Sequence, residues 1–147
     1  MRIPTQKIIE YLPYLAFAQA LIAMLGSLYF SEIMDLPPCK LCWFERIAMY
    51  PLVPILIVGI LKKDRDLGLY TLPLVIPGFI IALYHNLLYW KILPESYAPC
   101  QLGVSCTTKF FEWFGFITIP LMALTAFVIL GAALGLYHYL TRKYDQR

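Results

Sequence analysis

The chain has 147 residues, 61% of them hydrophobic and only 14% charged, with a formal net charge of +3 and a mean hydropathy of +0.69. A soluble domain is about 45–50% apolar and about 25% charged, so this sequence lacks the polar surface to face water on all sides. A disordered chain, a nucleic-acid-binding domain and an ordinary cytosolic enzyme are excluded, and the small net charge points to no polyanionic partner.

Four apolar stretches follow in chain order: Ile8–Phe30, Trp43–Leu61, Leu67–Ile92 and Gly115–Leu140. Each exceeds the ~18 residues that mark a membrane-span candidate, about 20 being enough to cross a ~30 Å hydrocarbon core. Of the charged residues only Glu10, Glu45, Arg46 and Lys91 fall inside them, all near ends, where snorkelling lowers the cost of a charge. Continuous apolar runs of this length are not barrel strands, which alternate. The expected fold is therefore all-α, an integral membrane four-helix bundle forming one domain over residues 1–147. The first stretch has basic flanks and an Ala18-Gln19-Ala20 triplet like a signal peptide. Glu10 and the apolar sequence continuing to Phe30 favour a retained helix instead.

An even number of spans places both termini on one side. Arg2, Lys7, Lys62, Lys63, Arg65, Arg142, Lys143 and Arg147 fall on that side, and Lys40, Arg46, Lys91 and Lys109 on the other. Excess Lys and Arg marks the cytoplasmic face, so both termini are expected inside and two loops, residues 31–42 and 93–114, outside. Tyr89, Trp90, Tyr97 and Trp113 flank the outer boundary as an aromatic belt, and Pro51, Pro54, Pro73, Pro77 and Pro120 can kink the spans. No internal repeat or phosphate-binding loop is present.

All four cysteines fall in the outward loops, Cys39 and Cys42 in the first, Cys100 and Cys106 in the second. That face is where disulfides form and persist. Local pairs would close only four and seven residues, worth roughly 1.9 and 2.4 kcal/mol against ~4.7 for a 100-residue loop. A bond between the loops would close about 60 residues instead, and the spacing leaves both arrangements open. Exchange chemistry requires such arrangements to interconvert through a mixed disulfide.

Around the first pair the sequence reads Pro37-Pro38-Cys39-Lys40-Leu41-Cys42-Trp43-Phe44-Glu45-Arg46. With the second span starting at about Cys42, that thiol lies near a helix N-terminus, which favours thiolate. Arg46 follows one turn later on the same face. It could stabilise charge developing on a carbonyl oxygen of a lipid-soluble quinone. Taken alone, Arg46 reads equally as an interfacial cation or as one neutralised by Glu45. His85, inside the third span, is a functional candidate as an intramembrane ionisable group, or a histidine satisfied between helices. His138 reads as interfacial.

These residues resemble the DsbB family of membrane disulfide-generating oxidoreductases, in particular its short-loop, BdbC-like branch. The similarity covers nearly the whole chain and is most specific at Pro38-Cys39-Lys40-Leu41-Cys42 with Glu45-Arg46. The stretches Leu21–Phe30 and Trp113–Pro120 also carry it. The resemblance implies a protein dithiol:quinone oxidoreductase of the bacterial cytoplasmic membrane, with its active cysteines extracytoplasmic. By match, Cys39–Cys42 is the disulfide that passes electrons to quinone, Cys42 nearest the ring, Arg46 and His85 the quinone-binding residues. Cys100–Cys106 is the disulfide that exchanges with a soluble thioredoxin-fold oxidant (DsbA/BdbD-like), Cys100 forming the mixed disulfide. The quinone is menaquinone or ubiquinone, and no metal is expected. Partners are that oxidant, membrane lipid and the quinone pool, with no nucleic acid. Long-loop members separate the second pair much further than the five residues here. Competing readings are a thiol metal-binding membrane protein, against which C-x5-C spacing argues; a structural protein with inert disulfides; and a vitamin K epoxide reductase-type enzyme, disfavoured by the first-loop C-x-x-C.

Overall fold

A computed structural model describes residues 5–94, 96, 99, 105–107, 112–113 and 117–145. Helix α1 runs Thr5–Leu28 and continues into a single π-helical turn, Tyr29–Ile33. It is followed by α2 (Lys40–Met49), α3 (Leu52–Lys62), α4 (Leu67–Tyr89) and α5 (Ile119–Asp145). Four segments are long and apolar enough to cross a membrane: Gln6–Ile33, Lys40–Lys62, Leu67–Tyr89 and Ile119–Tyr144. The four-span all-α architecture read from the sequence is the one observed.

The second span is two helices, because Pro51 and Pro54 lack the N–H groups that would continue the ladder. Tyr50 N–H closes α2 on the Arg46 carbonyl at 2.8 Å, and α3 restarts with Pro51 as its N-cap. It stops at Lys63, whose φ of 50° is left-handed, with the Asp64 N–H returning to the Gly59 carbonyl at 2.9 Å. The third helix ends at Tyr89, short of the boundary expected near Ile92, where Lys91 takes a φ of 56°. The fourth span begins at Ile119 rather than Gly115. Residues just before it form a two-residue antiparallel ladder, β1 (Glu112–Trp113) on β2 (Ile117–Thr118), with Trp113 opposite Ile117.

Small residues let the helices approach. Ala16 and Ala20 of α1, Ala82 of α4 and Ala126 and Ala133 of α5 are all buried, around Leu52, Leu56, Val75, Phe127, Leu130 and Leu134. A side chain at Gly78 would collide with the Phe127 ring, so this glycine sets the α4–α5 approach. Near the C-terminal end of α4 Asn86 joins the two helices, donating to the Ala82 carbonyl at 2.8 Å and the Pro120 carbonyl at 2.7 Å. Large apolar side chains such as Ile22, Ile47, Leu61 and Ile80 face outward instead, the arrangement that lipid rewards. At the opposite end Tyr137 of α5 donates to the Asp64 carbonyl at 2.8 Å, and Arg142 lies 3.9 Å from Asp66. The end of α5 and the connector between α3 and α4 thus gather at one pole, and Cys39 and Cys42 stand at the other.

Candidate redox site at the cysteine end of the bundle

Two prolines hold the chain extended before α2, and Cys39 becomes its N-cap with φ −72° and ψ 172°. The Cys39 Sγ accepts the Cys42 backbone N–H at 3.3 Å, a bond made by a cap side chain to one of the free donors of the first turn. The helix therefore starts three residues earlier than the expected Trp43, and its positive end serves Cys39 more directly than Cys42. Both are free thiols with sulfurs 3.0 Å apart. The Cys39 thiol is lowered to about 4, chiefly by the hydrogen bond from the Cys42 thiol, with His85 and the Cys42 N–H adding to it against the opposing effect of burial.

His85 comes from α4 and is 2% exposed. Its Nε2 lies 3.8 Å from Cys39 Sγ and its Nδ1 3.0 Å from Oε1 of the buried Glu45. A chain Glu45–His85–Cys39–Cys42 thus links α2 and α4. Glu45 does not neutralise its neighbour Arg46. Successive residues on a helix point about 100° apart, so Glu45 faces α4 while Arg46 faces α1. There the Arg46 Nε donates to Ser27 Oγ at 2.9 Å and Nη2 to the Ser27 carbonyl at 3.0 Å. Tyr50 donates to the same Ser27 Oγ at 3.3 Å, and the guanidinium lies 5.3 Å from the Trp43 ring centroid. The planar fork is held from two sides.

Cys39, Cys42, Arg46, His85 and Tyr50 share one cavity of about 330 Å³. Its walls are otherwise mainly apolar, from Ile22, Ala23 and Gly26 of α1 and Met122, Ala126 and Phe127 of α5. Ile22 and Met122 are also 65% and 42% exposed, so the cavity reaches the outside of the bundle between α1 and α5. Cys106 belongs to the same place. It is disulfide-bonded, lines the cavity, and packs in a buried cluster with Cys39, Leu41 and Leu88. The structure thereby assembles Cys39, Cys42, Cys106, Arg46 and His85, whereas Cys100 lies outside the described residues.

Two participants were given no role from the sequence. Glu45 entered only as part of the motif and as a neighbour of Arg46, although it carries a readable signal, a carboxylate in an apolar span whose counterpart, the intramembrane His85, lies in another. Ser27 carries none, since a lone serine in a span is unremarkable until the guanidinium is seen on it.

Sequence comparisons agree on the kind of protein this is. Residues 10–137 match the profile of the family described as disulfide bond formation protein DsbB. The probable disulfide formation protein C of Halalkalibacterium halodurans is 48% identical over 124 residues, 84% of this chain and 90% of that one. Disulfide bond formation protein C of Bacillus subtilis is 47% identical over 117 residues, 80% and 85% of the two chains. A probable disulfide formation protein of Oceanobacillus iheyensis is 42% identical over 122 residues, 82% and 84%. No solved structure matches the chain.

Proposed function

The chain belongs to the DsbB family of membrane disulfide oxidoreductases, and from that premise we propose that it reoxidises an extracytoplasmic thioredoxin-fold oxidant and delivers the electrons to a membrane quinone. The observation that carries the reading is the single cavity onto which Cys39, Cys42 and the guanidinium of Arg46 all open. A quinone fits the character of that space: apolar walls for the ring, a fixed cation for a carbonyl oxygen, a passage to lipid, and a volume of about 330 Å³ within the usual small-molecule range. When bound, it supplies a lipid-soluble acceptor for two electrons and two protons.

The protein's own part proceeds through thiol exchange. A reduced dithiol of the partner attacks the Cys100–Cys106 disulfide and leaves oxidised, so that the loop pair becomes a dithiol. One loop thiol then attacks Cys39–Cys42 and forms an inter-loop disulfide, which the packing of Cys106 against Cys39 favours. Attack by the second loop thiol restores Cys100–Cys106 and leaves Cys39 and Cys42 reduced. The cap hydrogen bond from the Cys42 N–H stabilises Cys39 as a leaving thiolate. While Cys39 is engaged by the loop, Cys42 is the sulfur left free on the cavity, one turn from Arg46. Reclosing Cys39–Cys42 releases two electrons and two protons, and His85, 3.8 Å from Cys39, stands where one proton can be taken up. Arg46, held by Ser27 and lying over the Trp43 ring, orients the acceptor and offsets the negative charge that reduction places on its oxygen.

The test is quinone reduction by purified protein supplied with a reduced thioredoxin-fold dithiol, menaquinone and ubiquinone analogues being compared. Serine variants at Cys39, Cys42, Cys100 and Cys106 should each lose at least 100-fold in turnover. Unchanged turnover of Cys42→Ser would overturn the route.

A further inference from the structure

We infer that the reduced first pair, together with His85, is a coordination site for a thiophilic d10 cation of the zinc or cadmium type, open only in the dithiol state. The ion would be a competitor for the sulfurs, not a resident cofactor. Cys39 Sγ, Cys42 Sγ and His85 Nε2 all lie within 4.8 Å of one another, with 3.0 Å between the sulfurs and 3.8 Å from Cys39 to the imidazole. Two sulfurs 2.3 Å from a tetrahedral zinc ion stand about 3.8 Å apart, and a sulfur and an imidazole nitrogen about 3.5 Å. An ion is therefore accommodated by a movement of under about 1 Å in the thiols. Two thiols and an imidazole are the donors that borderline and soft cations select.

The second observation is the partner of the imidazole. Glu45 Oε1 lies 3.0 Å from His85 Nδ1, so the carboxylate accepts the Nδ1 proton and turns Nε2 toward Cys39. A carboxylate behind a ligating histidine is the usual orienting arrangement of zinc sites. All three donors also line the cavity, which leaves a fourth coordination position accessible from it, as in zinc sites that exchange ligands.

Binding involves no redox change. The divalent ion binds both sulfurs as thiolates and Nε2 of the neutral imidazole, and the two protons held among Cys39, Cys42 and His85 leave to solvent. The occupied sulfurs can no longer reclose as a disulfide, so the cation arrests the enzyme in its reduced state. The oxidised enzyme has no thiolates to offer.

Zinc is measured by atomic emission on the Cys100→Ser/Cys106→Ser chain, dialysed against buffered Zn2+ without quinone, in its dithiol and oxidised forms. We expect one zinc per chain in the dithiol form and at least tenfold less in the oxidised form. Affinity should fall at least 10-fold in His85→Ala and roughly 10–100-fold in Glu45→Gln. Equal zinc in both redox forms, or affinity untouched by His85→Ala, overturns the site. In the unmodified chain, Zn2+ or Cd2+ should protect Cys39 and Cys42 from alkylation, read residue by residue by mass spectrometry. Unprotected thiols there would overturn it independently. Since no arm uses quinone, zinc binding without quinone reduction refutes only the proposed function, and the converse refutes only this site.

Discussion

The chemistry rests on a handful of side chains whose partners decide what each can do. Arg46 is held by two hydrogen bonds to Ser27, and hydrogen bonds to a charged group are each worth about 1.5–3 kcal/mol. Arg46→Ala should raise the KM for quinone at least 10-fold and leave thiol exchange with the partner largely intact. Arg46→Lys keeps the charge without the fork and should recover only part of the loss. Cys39 makes a prediction about pH. Because its thiol is lowered to about 4, the thiolate persists above that value and is lost only as pH falls through it. Alkylation of Cys39 in the reduced protein should therefore stay fast through the acidic range, and His85→Ala should move the break upward. A break near the ordinary thiol value of about 8.5 would contradict the cap and imidazole contacts. Cys39, Cys42, Arg46 and His85 stood out in the sequence because each is an improbable residue for its surroundings, whereas Cys100 lies outside the described residues. The partnership of Glu45 with His85 was not, since it depends on the rotation of α2 against α4, which no spacing in one helix encodes.

At the scale of elements, apolar length alone located the spans, but their ends follow local rules that composition hides. The start of α2 moved to Lys40 because Cys39 could cap it through sulfur, a role that cap preferences assign to Ser, Thr, Asp or Asn. Pro51 and Pro54 announced a break, and the chain divides there into α2 and α3. The π-helical turn Tyr29–Ile33 ends α1 on a Met34 N–H to Tyr29 carbonyl bond of 3.1 Å, and nothing in the apolar pattern foretold it. Helix approach gives a sharper test. A methyl group at Gly78 meets the Phe127 ring, and overpacking a close interface costs typically about 1–3 kcal/mol. Gly78→Ala should therefore lower the Tm in detergent by several degrees. The double variant Gly78→Ala/Phe127→Leu should recover part of the loss, and an unaltered Tm in Gly78→Ala would mean that α4 and α5 do not meet there.

The whole molecule has two unlike poles. One carries Asp64, Asp66, Arg142 and Tyr137 in contact, and the other carries Cys39, Cys42 and Cys106 around the cavity. The basic residues near the termini and the α3–α4 connector lead us to place the first pole in the cytoplasm. A membrane-impermeant maleimide applied to intact cells should then label reduced Cys39 or Cys42 but not a cysteine introduced as Asp64→Cys, and the reverse pattern would invert the topology. The distribution of apolar residues made this bipolar plan readable from the chain, whereas the cavity between α1 and α5 was not, because it is made by faces of helices far apart in sequence. The central claim, that the first cysteine pair is where electrons leave the protein, has a direct test. The Cys100→Ser/Cys106→Ser protein, reduced beforehand and freed of reductant, is mixed with one equivalent of quinone analogue, and quinol and remaining thiols are counted in a single turnover. The expected result is one quinol formed per chain with loss of both the Cys39 and Cys42 thiols to a disulfide; quinone left oxidised beside two intact thiols would contradict it.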